Sequence, residues 1–130
     1  MVISANLGIP ATPLLPAAQL TVPDNPRFRM NAKSFLLTYP HCDLPKEELY
    51  AFLLTFGQPV KWVICREQHS DGSPHLHCAV MFQRKLDVRS AIYFDVPWHG
   101  TTYHGNYQTI KRWPAAVAYV KKGNSFRPDI

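Results

Sequence analysis

A single turn signal set between two β-prone runs constrains this chain most. Residues 60–68 (Val-Lys-Trp-Val-Ile-Cys-Arg-Glu-Gln) are rich in β-branched and aromatic side chains, and residues 75–82 (His-Leu-His-Cys-Ala-Val-Met-Phe) are largely apolar. Ser70-Asp71-Gly72-Ser73-Pro74 separates them. Glycine there tolerates positive φ and proline fixes its own φ, so the chain reverses between the runs. The pattern predicts an antiparallel hairpin. Strand side chains alternate between faces, so His75 and His77, at i and i+2, point the same way. Glu67 lies across the turn, within reach of the same face.

The other breakers set the rest of the order. Residues 33–39 (Lys-Ser-Phe-Leu-Leu-Thr-Tyr), closed by Pro40, predict a first strand. Asp43 then precedes an N-terminal proline, Pro45, with Glu47 and Glu48 in the first turn. Leu49, Phe52, Leu53 and Phe56 recur at helical spacing, and Gly57 can end the helix. Residues 87–96 are ambiguous, with a short strand expected at Tyr93-Phe94-Asp95-Val96, and residues 103–110 predict a further strand. Pro114 suits the first position of a helix running through Lys122 to a stop at Gly123-Asn124. The order β-α-β-β-β-β-α implies an α+β fold, an antiparallel β-sheet of about five strands with flanking helices. Residues 1–25 hold Pro10, Pro13, Pro16 and Pro23 with almost no charge, so a weakly ordered, proline-rich arm is expected there. The domain is expected over residues 26–124, with 125–130 beginning a linker.

The 130 residues allow one domain with a real core. The net charge is +5, and because Asp24 is the sole charge in residues 1–25, the remainder carries +6. From Val96 to Phe126 there is no acid, while Lys111, Arg112, Lys121 and Lys122 interleave with Trp98, Tyr103, Tyr107, Trp113 and Tyr119. Cations neutralise phosphates and aromatic faces stack bases, which favours a nucleic-acid partner. A solvated basic surface over core aromatics accounts for the composition equally well. Cys42, Cys65 and Cys78 form no Cys-x-x-Cys pair and leave one thiol over in any disulfide scheme, which suits a reducing compartment. Cys65 and Cys78 read as small core residues. No apolar run approaches the roughly eighteen residues of a membrane span, and the N-terminus lacks a basic secretory start.

Two groups of residues carry chemistry. His75, His77 and Glu67 offer two imidazoles and a carboxylate, a set that suits Mn²⁺, accepts Mg²⁺ less comfortably and would also bind zinc. Two polar histidines at a strand end beside an exposed glutamate is the plainer reading. Tyr119 and Lys122 stand at i and i+3 and share a helix face. A phenol with a pKa of about 10 is a poor nucleophile near neutral pH. A nearby metal or ammonium would favour the phenolate and offset charge on an attacked phosphate. A half-buried tyrosine beside a solvated lysine is the plainer reading here.

Three ordered motifs add a family resemblance. Phe35-Leu36-Leu37-Thr38-Tyr39-Pro40 comes first, then Arg66-Glu67 with Asp71-Gly72-Ser73-Pro74-His75-Leu76-His77, then Tyr119-Val120-Lys121-Lys122. Together they resemble the motifs of the His-hydrophobic-His (HUH) replication initiators of small circular single-stranded DNA viruses, above all the geminivirus-like replication-associated proteins. Tyr93-Phe94-Asp95-Val96 and His104-Gly105-Asn106-Tyr107-Gln108 resemble a further geminivirus segment. The resemblance covers roughly residues 26–124. The arm lies outside it, and residues 83–91 diverge too far for transfer position by position.

The resemblance implies an RRM- or ferredoxin-like HUH nuclease fold and a metal-dependent DNA endonuclease and strand transferase that starts rolling-circle replication. Glu67, His75 and His77 would hold a divalent metal, Mn²⁺ or Mg²⁺. Tyr119 would form a 5′-phosphotyrosine link, and Lys122 would position or neutralise it. DNA contacts are implied at Phe35, Leu37, Thr38, Tyr39, Arg66, Tyr103, His104, Asn106 and Lys111. The implied partner is single-stranded DNA at an origin hairpin, in the host cell nucleus, with self-association of a longer protein and no membrane. Full-length members carry a helicase region, and this chain has no Gly-x-x-x-x-Gly-Lys-Ser/Thr loop. Its end at Asp129-Ile130, soon after the tyrosine helix, is expected to mark a fragment.

Three rivals are distinguishable. A non-catalytic single-stranded nucleic-acid-binding module of RRM-like fold would share the sheet and charge without needing Glu67, His75, His77 and Tyr119 together. A two-histidine phosphoesterase needs a second His-x-Thr/Ser copy, and a structural zinc module needs cysteine spacings that Cys42, Cys65 and Cys78 lack.

Overall fold

The computed structural model describes residues 28–68 and 70–122. The expected arm at 1–25, the helix stop at Gly123-Asn124 and the linker at 125–130 lie outside the described residues. The elements are β1 (Met30–Tyr39), α1 (Lys46–Leu53), β2 (Pro59–Gln68), β3 (Pro74–Val88), β4 (Val96–Trp98), β5 (Thr101–Tyr103), β6 (Asn106–Thr109) and α2 (Trp113–Lys122). Four strands form one antiparallel sheet in the order β2-β3-β1-β6, and β4 and β5 form a separate two-stranded one. This is the α+β fold that the breaker pattern implies.

The hairpin forms where the turn signal stands. Asp71 Oδ1 accepts hydrogen bonds from Ser73 N at 2.9 Å and Ser73 Oγ at 2.6 Å, and Gly72 takes a φ of 84°. That is an Asx-type closure with glycine at the left-handed position. Strand β3 runs well past Phe82, because its second half pairs with the start of β1 (Met30↔Val88, Asn31↔Asp87, Ala32↔Leu86). The charges of Arg84 and Lys85 hide that extension from a reading of apolar runs. Helix α1 starts one residue later than the proline suggests. Pro45 is its N-cap, without a side-chain cap, and its carbonyl accepts from Glu48 N and Leu49 N at 3.0 and 3.2 Å.

Two expected strands are corrected. Residues 91–94 are a turn, and the strand begins only at Val96. The run 103–110 is two strands: β5 pairs with β4, whereas β6 pairs with β1 through Phe35↔Thr109 and Leu37↔Tyr107. The break is at Gly105, which lies against the main chain of Thr38. A Cβ there would stand 2.3 Å from the Thr38 carbonyl oxygen and 3.0 Å from its carbon. Main chain in a four-stranded sheet cannot swing aside as a side-chain tip can. Gly105→Ala is therefore expected to cost about 3 kcal/mol, the upper part of the overpacking range. In a domain of this size that lowers the melting temperature by roughly 12–24 °C, which calorimetry would read.

The sheet has two apolar faces. On one, the Phe35 ring packs on Phe82 and Phe94 (centroids 6.2 and 5.2 Å), and Phe94 meets Phe56 and Tyr107 (5.3 and 5.6 Å). Leu37, Tyr39, Leu76, Cys78 and Val80 are also buried, and strand alternation assigns them to that side. Tyr39 Oη donates to the Phe94 carbonyl at 2.7 Å, so its buried hydroxyl is satisfied. On the other face, α2 sets Ala116, Tyr119 and Val120 against Leu36 and Ala79, with Val63, Cys65, Ile110 and Trp113 around them.

All of this belongs to the compact unit of Met30–Val88 and Phe94–Ile130. In the other unit the described residues are 28–29 and 89–93. There Ser90 nucleates a turn: its Oγ accepts from Ile92 N at 3.3 Å and its carbonyl from Tyr93 N at 3.2 Å.

Candidate active site

Register gathers the polar residues. Strand pairing sets Glu67 opposite His75, Cys65 opposite His77, and His77 opposite Thr38, which in turn faces Asn106. Paired residues point to the same side of a sheet. Glu67, His75, His77, Cys65, Thr38 and Asn106 therefore share the face that α2 covers.

His77 is the hub. Its Nε2 lies 2.8 Å from Glu67 Oε1, with the two side chains 4% and 19% exposed. The Tyr119 ring meets the His77 ring edge-on, with centroids 5.6 Å apart and planes at 90°. Tyr119 is itself buried in the cluster under α2. Near the start of β3, the His75 ring stands edge-on to His41 at 5.3 Å and 87°. His41 has a φ of 50°, and Cys42 N donates to the Pro74 carbonyl at 2.9 Å, fastening that loop to the hairpin.

Among the described residues, no three His, Cys, Asp or Glu side chains are gathered closely enough to hold a metal ion. The Glu67–His77 pair is in direct contact, and His75 lies on the same face. Their chemistry nonetheless fits a divalent cation. Two cis ligands about 2.1 Å from a metal stand about 3 Å apart, so the Glu67–His77 separation is the right size for a shared ion. His77 Nδ1 is buried and makes no hydrogen bond, which leaves a costly unsatisfied polar atom in that ring.

The competing tyrosines are occupied elsewhere. Tyr107 Oη donates to Asp95 Oδ1 at 2.7 Å, and burial followed by that hydrogen bond pushes its pKa far above the usual phenol range. Burial does the same for Tyr39. Tyr103 Oη donates to Asp43 Oδ1 at 2.7 Å, and that bond is the main cause of its raised pKa. A hydroxyl donating to a carboxylate resists becoming a phenolate.

Burial corrects part of the expected DNA-contact set. Phe35, Leu37 and Tyr39 are 0% exposed and form core on the far face, so they shape the sheet rather than touch a strand. The Arg66 guanidinium is bonded to the carbonyls of Cys42 (3.3 Å) and Leu44, which ties it to the loop before α1. Thr38 and Asn106 stay on the histidine face, and Lys111 and Lys122 are exposed at either end of α2. His104 is 59% exposed, with Nδ1 2.7 Å from Asp95 Oδ1. Cys65 packs in the cluster under α2, as its reading as a small core residue expects, and the hairpin register sets it opposite His77. One neighbour of the site escaped the sequence reading. No local pattern signals His41, which reaches the site only through the left-handed turn after Pro40.

The site is thus a histidine–carboxylate pair on adjacent antiparallel strands, roofed by a helix that lays a tyrosine on the histidine. Comparison with known sequences supplies the family. Residues 28–126 match the model of the Geminivirus Rep catalytic domain, and the chain belongs to that family. It is 37% identical over 112 residues to a replication-associated protein of cabbage leaf curl virus (isolate Jamaica). That match covers 81% of this chain and 32% of the relative, so the chain spans about a third of the relative's length.

Proposed function

We propose that this domain starts rolling-circle replication by nicking and joining single-stranded origin DNA through Tyr119. The observation that carries the reading is His77, bonded to Glu67 on one side and packed against the Tyr119 ring on the other. A divalent cation, Mn²⁺ or Mg²⁺, held by Glu67, His75 and His77 would polarise the scissile phosphate and screen its charge. Glu67 orients the His77 ring, and His77 with the α2 cluster fixes the plane of Tyr119. The phenolic oxygen forms a bond to phosphorus as the bond to the 3′-oxygen breaks. The phenol's proton passes to water and the departing oxygen takes one up. One phosphodiester replaces another, so a later 3′-hydroxyl can reverse the step and close the strand without ATP.

Incubation of the protein with a labelled origin-like single strand and Mn²⁺ tests this. A protein–DNA band that survives denaturation is expected, and binding with neither cleavage nor adduct would leave only a non-catalytic RRM-like module. The host nucleus as compartment and self-association of a longer protein rest on the family resemblance alone.

Lys122→Ala is expected to slow cleavage without abolishing it. The lysine sits three residues beyond Tyr119 in the last turn of α2 and is exposed. A transition-state charge donor is worth on the order of 10²–10³ in rate, and solvent screening puts Lys122 at or below the low end. A loss of about tenfold to a hundredfold in single-turnover nicking at saturating DNA is the expected result. An unchanged rate would make it a surface residue.

A further inference from the structure

Farther along the face that α2 covers, at the end remote from Glu67, the edge strand β2 and helix α2 enclose an open groove of about 490 Å³, lined by Lys61, Trp62, Val63, Trp113, Val117 and Lys121. Positions 113, 117 and 121 recur every four residues and form one stripe along α2. Strand parity puts Lys61 and Val63 on the α2 side with Cys65 and Glu67. Trp62 borders the groove from the strand, with its ring against Tyr50 at 4.7 Å. Trp113 is half-buried and packed on the core cluster, so its indole is held in place. Lys61 and Lys121 are exposed on opposite walls, and no acidic side chain lines the groove among the described residues.

An apolar floor with one fixed indole between two cations, and no anion, matches a ligand that alternates flat apolar groups with negative charges. Single-stranded nucleic acid has that repeat. An acidic peptide carries the charge without the regular flat faces. We propose that the groove is a second single-strand subsite, in which a base lies on Trp113 and the adjoining phosphates meet Lys61 and Lys121. This rests on the reading that the domain acts on single-stranded DNA. Lys61 and Glu67 are six strand residues apart, about 20 Å at ~3.3 Å each. The subsite would therefore grip the strand some nucleotides away from the cut and leave the reacting phosphate to Glu67, His75 and His77.

The test compares the full chain with its Lys61→Glu/Lys121→Glu double variant on two single strands, a long one extending well to both sides of the cut and a short one spanning only the cut. Both positions are exposed, so the variant is expected to melt as the parent does. On the long strand the variant is expected to bind about tenfold to a hundredfold more weakly. Its slope of log affinity against log salt should shrink by about 1.4, two phosphate contacts at about 0.7 each. Cleavage of the short strand at saturation should be unchanged. Photocrosslinking from 5-iodouracil placed along the long strand should label Trp113. Unchanged affinity and slope on the long strand, crosslinks that avoid the groove, or an equal loss on duplex DNA would overturn the proposal. Failure of the parent protein to form an adduct on either strand would instead remove the nicking reading, while the affinity and crosslink data would still decide the groove.

Discussion

Tyr119→Phe is expected to abolish strand nicking while leaving the fold and DNA binding nearly as they were. The substitution removes one oxygen and keeps the ring, which fills the cluster of Leu36, Ala79, Ala116 and Val120 and meets His77 edge-on. Packing and the shape of the site should therefore persist. Loss of the attacking atom has no substitute nearby, because the hydroxyls of Tyr103 and Tyr107 are engaged by Asp43 and Asp95. A fall of at least about 10⁴-fold in single-turnover nicking is expected, as for other enzymes stripped of their nucleophile. The change in unfolding free energy should stay within about 1 kcal/mol. Mass spectrometry of the wild-type adduct gives the sharpest check, since phosphotyrosine at Tyr103 or Tyr107 would sink the assignment.

The second large effect concerns the pair beneath that tyrosine. His77→Ala should lower cleavage by roughly 10²–10³-fold, and excess chelator added to the parent protein should do the same. Two causes would be mixed in that variant. It removes a ligand, and it also leaves the largely buried Glu67 carboxylate without its 2.8 Å contact, at a cost of about 1–3 kcal/mol in stability. Glu67→Gln separates them, because the amide can still hydrogen-bond to His77 but carries no charge for a cation. It is expected to keep most of the melting temperature and lose most of the cleavage. Full nicking by the parent in excess chelator would end the metal role, whatever the variants do.

The hairpin, its turn and the shared face of His75 and His77 were readable from residues, because period-two alternation and Asp-Gly chemistry act over a few positions. The same local rules find α1 and α2 from helical spacing and prolines. They fail where the deciding partner is distant in sequence. Arg84 and Lys85 look like the end of a strand until Met30–Ala32 is there to pair with it. The run 103–110 looks continuous until Gly105 meets Thr38. The contact set suffered similarly. Motif position marked Phe35, Leu37 and Tyr39 as DNA-facing, yet alternation with Leu36 and Thr38 sends them to the core, and burial confirms which of the two faces is which. His41 depends on one left-handed residue and was invisible.

The interleaving of core and site along β3 has a consequence for how such a domain can change. Leu76 and Cys78 point into one apolar layer while His75 and His77 point to the other side, so a shift of one residue in the β2–β3 pairing exchanges the two sets. Chemistry and folding are thus written in a single parity. The turn at residues 70–74 holds that parity through its Asp71 closure and the left-handed Gly72. A change in its length that slipped the strands by an odd step would turn both imidazoles into the Phe35 layer and Leu76 and Cys78 towards α2 in one stroke. Protection against that error needs no selection on catalysis, because the misregistered chain would already have failed to fold.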